Sequence, residues 1–163
     1  MRQNALFQLA TGLGTPGTAR TEDVTIAKAP AAAAVVSHER ADHFVVRNGV
    51  RCAGAHLIVD LYGAERLEDV DHIEHALRAC VDAAGATLLH IHLHHFEPNG
   101  GVSGVAVLAE SHISIHSWPE ANYAAVDIFM CGKANPDACI PVLREAFKAK
   151  NVAISELSRG RVT

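Results

Sequence analysis

The sequence has no CxxC pair, no zinc-type spacing among its four cysteines, no basic excess, and no apolar run near the roughly 18 residues that a bilayer demands. Each absence removes a class of function. Cys52, Cys80, Cys131 and Cys139 supply neither a redox motif nor a structural metal set, and read as free thiols that pack as small hydrophobes. A net charge of −4, with histidines neutral, leaves no footprint for a phosphate backbone, so no nucleic-acid partner is expected. The N-terminus has neither a basic stretch followed by an apolar core nor a convincing cleavage site. No membrane partner is expected, and the chain reads as cytoplasmic.

What is present suffices for one folded domain. The 163 residues are 49% hydrophobic and 20% charged, which is enough to bury a core. Residues 1–50 differ from the rest: TGLGTPGT is rich in Gly, Thr and Pro, and KAPAAAAVV is a low-complexity alanine stretch without a polar face. They read as a loosely ordered extension before a domain at 51–163.

From residue 55 clear periodicities begin. Leu57, Val59 and Leu61 alternate with His56, Ile58 and Asp60, the signal of a strand. Val70, Ile73, Leu77, Cys80, Val81 and Ala84 recur at intervals of three and four, the stripe of a helix on a core, and Gly85 supplies its stop. Strands are expected at Thr87–Phe96, Val102–Ala109, His112–Trp118 and Tyr123–Cys131, the first two joined through PNGG. Asn135-Pro136 is a helix start, with Ile140, Leu143 and Phe147 as its buried stripe, and Val152–Leu157 is a last strand.

The order β-α-β-β-β-β-α-β with tight central links argues an α+β fold, an antiparallel sheet with two helices on one face. Several strands carry apolar residues on both sides, which two helices cannot cover. Pairing of two sheets in a homodimer is the simplest way to bury the second face.

The most informative stretch is LAESHISIHSWPEANYAAVDIFMCG, residues 108–132, which gathers Glu110, Ser111, His112, Ser114, His116, Glu120 and Cys131. The run ESHISIHSWPE followed by YAAVDIFMCG, with GVSGV at 101–105 and the terminal ELSRGR, resembles the bacterial S-adenosylmethionine decarboxylases over about Gly54 to Gly160. That family is made as inactive proenzymes. The resemblance implies a cut between Glu110 and Ser111, giving chains 1–110 and 111–163, with Ser111 converted to a covalent pyruvoyl cofactor. It implies that Ser103 and His116 assist the processing, that Cys131 is the acid that protonates the decarboxylated substrate, that Glu120 holds the ribose hydroxyls, and that Phe96 stacks on adenine.

The chemistry needs these residue types. A serine hydroxyl can exchange the preceding amide for an ester only if its oxygen is held at that carbonyl and a donor stabilises the oxyanion. A neutral imidazole, with its pKa near about 6.5, can then promote elimination from the serine Cα. Standard side chains offer no electrophilic carbonyl, so a protein that must stabilise a carbanion needs an electron sink, and a pyruvoyl ketone is one. A thiol with a pKa of about 8.5 is a suitable acid near working pH. The sink is indifferent to what hangs from the substrate Cα, so arginine or ornithine remains an alternative to S-adenosylmethionine as the small-molecule substrate. A non-catalytic partner subunit is a third reading, against which stand the retained Ser111 and Cys131.

Other residues have less specific readings. His90, His92 and His94 share one strand face and could hold a metal, although histidines lining a dimer face or pocket are commoner, and no metal site is assigned. His112 reads equally as a ligand or a pocket residue. Trp118 and Tyr123 read as packing residues.

Overall fold

The computed structural model describes residues 43–162. Of the extension expected at 1–50, residues 1–42 lie outside the described residues. Within 43–50 the sheet has already begun, because β1 (Val45–Arg47) forms a hairpin with the start of β2 (Val50–Tyr62). The remaining elements are α1 (Val70–Ala84), β3 (Leu88–His95), β4 (Val102–Leu108), β5 (Ser111–Trp118), β6 (Tyr123–Met130), α2 (Cys139–Ala146) and β7 (Asn151–Arg161).

β2 is central. It pairs with β6 over Ala55–Tyr62 and, along its other edge, with β7 over Cys52–Tyr62. The sheet then continues from β6 through β5 and β4 to β3, every pairing antiparallel. β7 reaches beyond the expected Leu157 to Arg161, because β2 offers it partners as far back as Cys52.

Alternation sets the two faces. Leu57, Val59 and Leu61 of β2, Ile113 and Ile115 of β5, and Val126 and Ile128 of β6 are fully buried under the helices. α1 begins where the Asp69 side chain accepts from the His72 N–H at 3.0 Å. It contributes Ile73, Leu77, Cys80 and Val81 to the core and ends at Gly85, whose φ of 66° ordinary side chains resist. Asn135-Pro136 does start a helical segment, but as a 3-10 turn, Pro136–Ala138, from which α2 continues with Leu143 and then Phe147 buried. The sheet with two helices on one face is therefore the fold that the residue pattern predicts.

Among the described residues no helix lies on the opposite face. Register aligns His94, Ser103, His116, Ala125 and Asp60 in one row across it, and His92, Val105, Ser114, Asp127 and Ile58 in the next. Ile58, Tyr62, Val107, Trp118 and Leu157 stand on this face between 38% and 47% exposed. β5 presents its two ends differently: Ser111 points to the helix side with Ile113, while His116 points to the open side with Ser114.

Candidate active site

The segment that carries the chemistry splits into two groups, one at each end of β5. The first is built on the two-residue turn between β4 and β5, where Leu108 pairs with Ser111 and leaves Ala109 and Glu110 at the corner. The Ala109 N–H donates to the Thr87 carbonyl at 2.9 Å, and Glu110 takes a left-handed φ of 64°. Cys131 follows the end of β6 directly. Its backbone N–H donates to Ser111 Oγ at 3.2 Å, its Sγ lies 3.8 Å from that oxygen, and its thiol donates to the Glu110 carbonyl at 3.1 Å. The Ser111 hydroxyl, the Glu110 carbonyl and the Cys131 thiol therefore meet. Glu110 and Cys131 edge a cavity of about 630 Å³ lined also by His43, Phe44 and Lys133.

The second group lies on the open face and at its rim. Ser103 Oγ is 2.7 Å from His116 Nδ1, since the two stand opposite each other on β4 and β5. Phe96, Trp118 and Glu120 line a cavity of about 210 Å³ with them. Phe96 is held by its N–H, which donates to Gly101 O at 2.8 Å, and its ring is half exposed. Glu120 sits in the 3-10 turn Pro119–Ala121. Trp118 lines this cavity while stacking on Tyr123 at 5.3 Å, so it is both a packing and a pocket residue. Tyr123 donates to Asp60 Oδ1 at 2.5 Å, and that bond pushes its hydroxyl up to about 12.

Both pairs implied by the resemblance are thus brought together, but not with each other. Five strand steps separate Ser111 from His116, about 17 Å at the usual rise, and the two side chains leave opposite faces. Within one chain His116 and Ser103 do not reach the Glu110–Ser111 bond.

His112 lies on the open face, stacked on Phe129 at 5.6 Å and edge-on to His56 at 6.4 Å. Burial, and then repulsion from His56, hold it below the usual imidazole pKa against the pull of Asp127. It is an open-face packing residue, facing away from Ser111. His90, His92 and His94 also stand on this face, opposite Val107, Val105 and Ser103. Among the described residues no three metal-ligating side chains converge. All four cysteines are free; Cys52, Cys80 and Cys139 are buried, and Cys131 alone is partly open. Among the described residues no helix is long and apolar enough to cross a membrane.

One contact escaped the residue pattern. His43 Nδ1 is 2.7 Å from Glu110 Oε2. The partners are distant in sequence and the local run around His43 has no periodicity, so only the hairpin β1–β2 reveals it.

Comparison with known proteins covers both groups. Residues 55–160 match the family described as S-adenosylmethionine decarboxylase. A Thermomicrobium roseum protein named S-adenosylmethionine decarboxylase proenzyme is 46% identical over 114 residues, covering 69% of this chain and 98% of its own length. A Methanococcus vannielii protein of the same name is 47% identical over 112 residues, covering 67% of this chain and 91% of its own. The crystal structure of the adenosylmethionine decarboxylase from Aquifex aeolicus superposes with a TM-score of 0.60 at 33% identity, over 69% of this chain and 94% of that one. A match that runs from β2 almost to the end of β7 takes in the turn, the thiol and the Ser103–His116 pair on one sheet: the chain belongs to the S-adenosylmethionine decarboxylase family.

Proposed function

We propose that the chain is a proenzyme that cuts itself between Glu110 and Ser111 and then decarboxylates S-adenosylmethionine. The observation that carries this reading is the turn geometry, in which Ser111 Oγ and the Glu110 carbonyl are both bonded to Cys131. A thiol donating to the carbonyl polarises it and meets the oxyanion that forms when Ser111 Oγ attacks. The residues present fit the formation of a pyruvoyl group, because the nucleophile and its donor are already seated at the bond to be broken. Once made, that group supplies the electron sink that side chains lack. Cys131 stands beside residue 111, which suits a donor of the proton that replaces CO2.

Ser103 and His116 fit this chemistry in a second copy. If two open faces stack about a two-fold axis running across the strands at the level of Ser114, each β5 lies end over end on the other. Ser111 then comes level with Ser117 of the partner subunit, and the partner's Ser103 and His116 approach the Glu110–Ser111 peptide from the open face, the side opposite the Ser111 hydroxyl. The half-exposed apolar residues of that face would be covered in the same contact. Phe96 and Glu120, at the rim of that second group, suit stacking on a base and accepting from sugar hydroxyls.

Family membership favours S-adenosylmethionine over the arginine and ornithine alternatives, and an enzyme over a non-catalytic subunit. The purified chain should release CO2 from S-adenosylmethionine and not from the other two offered in parallel. Intact mass should show two fragments, the one beginning at residue 111 blocked by pyruvate. A single 17.3 kDa species that still consumes substrate would refute the mechanism.

Cys131→Ala should retain slow self-cleavage, since Ser111 remains. Removing both the oxyanion donor and the acid should slow processing and lower turnover per processed site about 100-fold or more. Full turnover in that variant would remove the role assigned to the thiol.

A further inference from the structure

We propose that His43 is a positioning residue for self-cleavage, holding Glu110 in the left-handed turn whose carbonyl Ser111 attacks; this rests on the processing reading above. His43 precedes the residues matched to the family, 55–160. It is nonetheless fixed at the scissile turn from two sides. Its carbonyl accepts from the Gly132 N–H at 2.8 Å, next to the thiol-bearing residue, and β1 behind it is hydrogen-bonded to β2. Its ring nitrogen meets the Glu110 carboxylate at 2.7 Å.

Glu110 needs such a hold. At φ 64° its Cβ crowds the backbone, a conformation that glycine adopts freely and glutamate does not. Backbone in this region persists only where its surroundings over-determine it. Both side chains of the pair are about half exposed, so the bond adds little to global stability and acts on orientation instead. Releasing it lets the turn relax and swings the carbonyl away from Ser111 Oγ and the Cys131 thiol. The step it serves forms the Ser111 Oγ bond to the Glu110 carbonyl carbon, breaks the Glu110–Ser111 C–N bond, and passes the hydroxyl proton to the released amine.

The test follows processing of freshly made full-length chain by intact mass against time. His43→Ala should slow the cut about 10-fold while the melting temperature stays near that of the parent. His43→Asn, whose amide nitrogen can stand where Nδ1 stands, should restore most of the rate. In a Glu110→Gly background, where the turn is unstrained, adding His43→Ala should change the rate less than about 2-fold. An undiminished rate in His43→Ala, a failure of asparagine to rescue, or a full 10-fold loss persisting on Glu110→Gly would each overturn the role. A parent chain that never cuts at this bond would instead overturn the processing reading, and His43's role with it.

Discussion

Ser111→Ala should give a folded chain that stays at full length and releases no CO2 above background. The fold should survive because little of it depends on the hydroxyl. Ser111 Oγ accepts one backbone hydrogen bond from Cys131 and contacts its thiol. A bond of that kind is worth about 1 kcal/mol net, against about 5–15 kcal/mol for an ordinary domain. The core residues on either side in sequence, Leu108 and Ile113, keep their places under the helices. The chemistry has no such reserve. Without Oγ nothing attacks the Glu110 carbonyl, no ester forms, and no carbonyl other than ordinary amides stands at residue 111. Mass spectrometry should show one species after incubation that fully divides the parent chain, with a near-parental melting curve. Cleavage at 110/111 in this variant would mean that the serine is not the nucleophile.

The fold was legible because each strand had to put its apolar residues on alternate positions to meet the helices, as Leu57, Val59 and Leu61 do. The helix stripe from Ile73 to Ala84 and its glycine stop were equally local. What stayed hidden depends on contacts between distant segments. β1 is three residues long and is a strand only because Arg51 and Cys52 lie opposite it. The site shows the same division. Ser111 and Cys131 were legible as a motif, but that His116 leaves the other face of β5 follows from counting strand parity, a constraint that joint mention in one motif conceals. Ser111 and His116 stand five residues apart in one motif, and along an extended strand that is about 17 Å.

That distance makes the largest prediction about assembly. Neither Ser111→Ala nor His116→Ala alone should yield an active protein, the first for want of a nucleophile, the second for want of the imidazole at the partner's cut. Co-expressed with separable tags, the two should form a mixed dimer in which exactly one composite site is whole. The Glu110–Ser111 peptide of the His116→Ala chain then has on its open-face side the partner subunit's Ser103 and His116, which the Ser111→Ala chain still carries. Only the His116→Ala chain should be cut, and the mixed dimer should recover activity up to about half that of the parent, one site of two being intact. His116 is exposed and on the open face, so its removal leaves the buried core untouched. The converse case is equally definite. If Ser103 and His116 acted on their own chain's Ser111, a mixed dimer would contain no complete site, and neither chain would be cut faster than in its own homodimer.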